Sequence, residues 1–206
     1  MKVKLCGVKR PEDIWYMNEF QPDYVGFVFA GTKRRITPQT AAKLAEKLDR
    51  NIQKVGVFVN EQPETVAMVA KMVGLQAIQL HGNETEEEIA YLRTRLPGCS
   101  VWKAVRVQDE RSLSAALRLS ADFLLLDSFS DSSYGGTGKI ANLAVIQKAN
   151  IARPYFLAGG LNSDNIRTIA ASLHPYGVDI SSGIETDGVK DRKKIETIMR
   201  IIRNIL

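Results

Sequence analysis

The sequence predicts an α/β fold, a single-domain (β/α)8 barrel spanning residues 1–206. Short apolar runs rich in Val, Ile, Leu and Phe recur about every 25 residues. Several of them lack polar alternation, as parallel strands covered on both faces do. Segments with helical spacing lie between the runs, and alternating strand and helix implies a parallel sheet. Eight such alternations within 206 residues close into a barrel more readily than they open into a doubly wound sheet, which usually has about five or six strands.

In order, the predicted strands cover residues 3–8, 24–29, 54–59, 77–80, 101–105, 123–128, 155–160 and 178–182. Helices are expected over 40–48, 62–73, 84–96, 109–119 and 164–173, where apolar residues fall at three- and four-residue spacings. Thr37 supplies a cap and Pro38 the first helical position of the earliest of these. Asn162 or Ser163 is the expected cap of the seventh helix, and Asp191 lies near the start of the last one. No linker, low-complexity tract or shift in composition divides the chain.

Composition narrows the function. The chain is 45% hydrophobic and carries a formal net charge of +5. No apolar run approaches the roughly 20 residues that span a bilayer, and the N-terminus does not read as a signal peptide. A cytoplasmic protein without membrane contact is therefore expected. Cys6 and Cys99 make no disulfide framework. With His81 and His174 the only histidines, a histidine-based metal site is not expected. Positive residues are scattered, apart from Lys33-Arg34-Arg35 and Arg192-Lys193-Lys194, and no aromatics interleave with them. That pattern fits an anionic small substrate better than nucleic acid.

Chemistry is concentrated where strands end. Gly159-Gly160 closes the seventh strand, and Ser182-Gly183 follows the eighth. Glycine turns there let backbone N–H groups approach an anion, and barrels often hold phosphate at this place. The stretch Tyr134-Gly135-Gly136-Thr137-Gly138-Lys139 after the sixth strand lacks P-loop spacing and suits a loop that covers substrate. Lys4 and Cys6 share one face of the first strand, with Leu5 on the other. Asp127 directly follows Phe123-Leu124-Leu125-Leu126, where a carboxylate is costly to bury without a partner or a purpose. The first and eighth strands adjoin in a closed barrel, so Lys4 and Asp179 are expected to pair.

Taken in order, Lys4-Leu5-Cys6-Gly7, Arg34-Arg35-Ile36, Gln79-Leu80-His81-Gly82, Leu126-Asp127-Ser128, Gly135-Gly136-Thr137-Gly138, Ala158-Gly159-Gly160-Leu161-Asn162 and Val178-Asp179-Ile180-Ser181-Ser182-Gly183-Ile184-Glu185 resemble phosphoribosylanthranilate isomerases. The resemblance runs over essentially the whole chain. It implies a TIM barrel that performs an Amadori rearrangement on a phosphorylated aminosugar, without cofactor or metal. It gives Asp127 the role of general acid at the ribose ring oxygen and Cys6 that of general base at the sugar C2. Arg34 would hold the anthranilate carboxylate, and His81 would lie beside the substrate. The turns carrying Gly136, Gly159, Gly160, Ser182 and Gly183 would hold the phosphate. For these roles Cys6 needs a lowered pKa or a substrate that favours thiolate, and Asp127 needs a raised one.

The chain departs from the family pattern at Lys9 and Thr32, where Thr and Ser are frequent, and at Ile140-Ala141-Asn142-Leu143, where Phe-Asp-Trp is usual. Another phosphosugar barrel, either an epimerase or an isomerase of histidine synthesis, is the enzymatic alternative. A phosphate-ligand binder without catalysis is the other. Monomer and homodimer both stay open.

Overall fold

The computed structural model describes residues 1–127 and 143–204. Eight parallel strands hydrogen-bond in chain order: β1 (Lys2–Cys6), β2 (Tyr24–Val28), β3 (Gln53–Phe58), β4 (Ala77–Leu80), β5 (Ser100–Arg106), β6 (Phe123–Asp127), β7 (Tyr155–Leu157) and β8 (Gly177–Ile180). β8 returns to β1, pairing Lys4 with Asp179, so the sheet is a closed barrel. Helices follow the strands: α1 (Pro11–Phe20), α2 (Pro38–Ala45), α3 (Pro63–Val73), α4 (Glu86–Arg95), α5 (Glu110–Leu117), α6 (Leu143–Lys148), α7 (Ile166–Leu173) and α8 (Arg192–Arg203).

Period-two alternation divides the strand side chains between two cores. Leu5, Val25, Phe27, Ile78, Leu80, Val101, Leu124 and Leu126 pack outward against the helices. Tyr24, Val55, Ala77, Trp102, Leu125 and Phe156 fill the lumen. Trp102 stacks on Phe156 with centroids 4.5 Å apart and meets the Tyr24 ring at 5.0 Å. This aromatic plug leaves room for polar groups only further along the strands, toward their C-terminal ends.

Local signals explain the helix starts. The Thr37 side chain accepts from the Thr40 N–H at 3.1 Å, with Pro38 in the first turn. Asp191 caps α8 by accepting from the N–H groups of Lys193 and Lys194. Helix α1 lay outside the predicted set; Pro11 and Asp13 start it, with Asp13 accepting from the backbone of Lys9 and Arg10.

Two expectations are corrected at the seventh unit. β7 stops at Leu157, because Gly159 and Gly160 turn the chain at φ +87° and +68°. Asn162 does accept from the N–H groups of Asp164 and Asn165, but this caps a turn; the α-helix begins later, at Ile166. Beyond β8 a short 3-10 turn (Ser182–Ile184) leads into a hairpin that the hydrophobic pattern did not predict, β9 (Glu185–Thr186) and β10 (Val189–Lys190). Among the described residues no helix is long and apolar enough to cross a membrane.

Candidate active site

The end of β1 is built around a buried ion pair. Lys4 is fully buried, and its Nζ donates to Asp179 Oδ1 at 2.9 Å, as the barrel closure predicts. Burial opposes the Lys4 charge, yet Asp179 and the nearby Cys6 outweigh it and raise the ammonium pKa. Cys6 is the last residue of β1 and lies on the same face, 7% exposed. It sits against Gly26 of β2, where a Cβ would come within 2.6 Å of Sγ. Burial pushes the Cys6 thiol up, and Lys4 only partly opposes this. Of the two routes to a thiolate, an intrinsically lowered pKa is not the one these surroundings supply, since desolvation of the thiolate is the largest influence.

Arg34 reaches the same rim from the β2–α2 segment. Its Nε and Nη2 donate to Glu185 Oε1 and Oε2 at 2.8 and 2.6 Å, a two-pronged pair. Lys190 Nζ donates to the same Glu185 carboxylate at 2.7 Å and to the Ser181 carbonyl at 3.2 Å. Glu185 is driven to about 2, because Arg34 and Lys190 overcome the burial that would raise it. Burial lowers Lys190 despite that carboxylate. Lys4, Arg34 and Lys190 thus face Asp179 and Glu185, so the cluster around Cys6 holds one positive charge in excess.

Neither Glu185 nor Lys190 was singled out from sequence, although a signal existed. Asp187-Gly188 joins β9 to β10 with both residues at positive φ, 51° and 76°. An Asp-Gly pair of this kind marks a tight two-residue hairpin.

Across the lumen, Asp127 ends β6 and is 4% exposed. His81 follows β4, and its Nε2 stands 3.1 Å from Asp127 Oδ2. Gln79, one strand repeat earlier, places Nε2 3.0 Å from His81 Nδ1. Arg106 is the in-register neighbour of Asp127 on β5. The turn carrying His81 is fixed from beneath: Lys103 donates to the Gly82 carbonyl at 2.7 Å and to Glu84 Oε2 at 2.9 Å. Glu84 also accepts from the Asn60 and Gly82 N–H groups. Hydrogen bonds and the Lys103 charge hold its carboxyl below the usual range although burial opposes them.

The late turns come together. A Cβ on Gly183 would lie 2.0 Å from the Leu161 carbonyl oxygen, so the turn after β8 packs directly on the chain leaving Gly159-Gly160. Asn165 Nδ2 donates to the Gly160 carbonyl at 2.9 Å. Beside Ser182 and Gly183 opens a cavity of about 420 Å³, also lined by Asn162, Ser163, Lys193 and Lys194. Gly159 and Gly160 do not line it. Gly136 and the rest of the expected covering loop lie outside the described residues, as does Asn142. Among the described residues no three His, Cys, Asp or Glu side chains gather as a metal site.

Residues 3–200 match the family model for N-(5'-phosphoribosyl)anthranilate isomerase. The proteins of that name from Endomicrobium trichonymphae and Thermoanaerobacter pseudethanolicus are 46% and 42% identical over 204 and 205 residues, covering 99–100% of this chain and 99% of theirs. The crystal structure of phosphoribosyl anthranilate isomerase from Thermotoga maritima superposes with a TM-score of 0.90 at 35% identity, covering 99% of both chains. Another structure of the enzyme, in complex with reduced 1-(o-carboxyphenylamino)-1-deoxyribulose 5-phosphate, gives 0.87 at 35% identity and the same coverage. This chain belongs to the N-(5'-phosphoribosyl)anthranilate isomerase family.

Proposed function

We propose that residues 1–206 form one catalytic unit that converts N-(5'-phosphoribosyl)anthranilate to 1-(2-carboxyphenylamino)-1-deoxyribulose 5-phosphate in tryptophan biosynthesis. Asp127 protonates the ribose ring oxygen, the C1–O bond breaks, and an iminium forms. Cys6, as thiolate, removes the proton from C2. The resulting enolamine then tautomerises to the ketone.

The observation that carries this reading is that a buried thiol ends β1 and a buried carboxyl ends β6 of one closed barrel, in a chain of this family. The electrostatics bear on when the base acts. The free thiol is held up by burial. A thiolate would neutralise the single excess positive charge of the Lys4, Arg34, Lys190, Asp179 and Glu185 cluster. An iminium formed beside it adds a further attraction, so the base ionises when the acid has done its work.

Glu185 takes the Nε–Nη2 edge of Arg34, which leaves the terminal Nη1–Nη2 edge for the anthranilate carboxylate. Ser182 and Gly183, with Gly159, Gly160 and Gly136, hold the phosphate. The purified protein should turn over N-(5'-phosphoribosyl)anthranilate and complement a tryptophan auxotroph lacking the isomerase. Turnover confined to the aminosugar of histidine synthesis would contradict the reading.

A further inference from the structure

We propose that Gln79 is a positioning residue for the acid, holding the His81 ring in whichever hydrogen-bonded state the proton on Asp127 demands. The inference rests on the reading of Asp127 as proton donor. Gln79 lies on β4 and is 1% exposed. Its Nε2 is 3.0 Å from His81 Nδ1, and His81 Nε2 is 3.1 Å from Asp127 Oδ2. The other amide atom, Oε1, is buried with no hydrogen-bond partner among the described residues. A packing role does not explain that atom, because an apolar side chain of similar length would fill the space without stranding an acceptor.

Proton counting explains it. A neutral imidazole has one donor and one acceptor nitrogen. When Asp127 is ionised its carboxylate only accepts, so His81 Nε2 carries the hydrogen, Nδ1 accepts, and Gln79 presents its NH2 group. When the pair holds one proton more, Nδ1 carries a hydrogen whether the extra proton sits on the carboxyl or on the ring. Nδ1–H then needs an acceptor, and a half-turn of the Gln79 amide supplies Oε1. In the proposed step the pair gives this proton to the ring oxygen as the C1–O bond breaks. Asp127 is left ionised, and the amide turns back. An amide serves both states; a carboxylate or a thioether does not.

The charged surroundings of the pair are fixed by packing. Arg106 adjoins Asp127 from β5, and Lys103 with Glu84 lies under the turn after β4. Lys4, Cys6 and Asp179 stand together on β1 and β8. β3 and β7 turn apolar Val55, Phe156 and Ala158 inward.

The test compares wild type with Gln79→Met and Gln79→Glu by kcat against pH, and follows His81 by nitrogen NMR. His81→Ala and Asp127→Asn serve as references. Gln79→Met is expected to lose about 10–100-fold in kcat with KM little changed, as misplaced catalytic groups do. The double variant His81→Ala/Gln79→Met should lose no more than His81→Ala alone, because Gln79 acts through the ring. Gln79→Glu offers only an acceptor and a negative charge, so it favours a hydrogen on Nδ1. It should keep more activity than Gln79→Met and move the alkaline limb of kcat to higher pH. A folded Gln79→Met with wild-type kcat and pH profile overturns the inference, as does full additivity with His81→Ala. If Gln79→Met fails to fold, Gln79→Glu decides: an unmoved limb with unchanged His81 nitrogen signals overturns it. Retained turnover in Asp127→Asn removes the acid itself, a separate result.

Discussion

Glu185 shows how much of this site depends on side chains that never meet the substrate in the proposed chemistry. Its carboxylate, lowered from 4.5 to about 2, is held by Arg34 and Lys190 against the burial that opposes its charge. A carboxyl whose folded pKa lies below its unfolded one contributes stability that is present above the unfolded value and fades as pH falls toward the folded one. Unfolding free energy should therefore decline between about pH 4.5 and 2, and Glu185→Gln should flatten that decline in urea titrations across the window. Cys6, Asp127, Arg34 and His81 were legible because each lies within a short motif. Glu185 also ended a motif, but the roles of Glu185 and Lys190 were not legible, because they come from a hairpin that brings both to Arg34. Gln79 stood inside a motif as well, yet only its stranded Oε1 and its distance to His81 reveal what its amide faces.

At the scale of elements, strands and helices were the most readable part of the chain, and their ends the least. Apolar runs recur because parallel strands are buried on both faces, so all eight strands could be found, and the fourth matches its expected limits, Ala77–Leu80. β7 and β8 end sooner than expected, at Leu157 and Ile180, because Ala158-Gly159-Gly160 and Ser181-Ser182 leave the ladder for turns. Those trailing segments are where the two late turns touch. Gly183→Ala would drive a Cβ to 2.0 Å from the Leu161 carbonyl oxygen, and backbone cannot yield cheaply there. The expected outcome is a KM for the phosphorylated substrate raised by about tenfold or more, with kcat less affected, since a weakened phosphate grip loses uniform binding. Unchanged KM in a folded variant would detach this turn from the phosphate.

For the whole molecule, closure of the sheet and the charge balance of the lumen are one problem. Lys4 and Asp179 lie on the first and last strands and pair only because the barrel closes. Asp179→Asn leaves a fully buried ammonium without its counter-ion, and should lower unfolding free energy by about 3–5 kcal/mol in denaturant titrations. Replacing both partners with apolar side chains should restore much of that loss. Barrel topology, and with it the adjacency of the first and last strands, was legible from the alternation of eight units. The state of the thiol was not: a sequence places Cys6 beside Lys4 but does not show how deeply both are buried.

In the proposed chemistry a carboxylic acid at the end of β6 opens the sugar ring while a thiol at the end of β1 takes its C2 proton. Turnover of N-(5'-phosphoribosyl)anthranilate by Asp127→Asn tests it most directly. The expected result is a folded protein that still binds substrate and whose kcat falls by about 10²–10⁴, the usual contribution of a general acid. A folded Asp127→Asn within about tenfold of wild type, well short of that contribution, would contradict it.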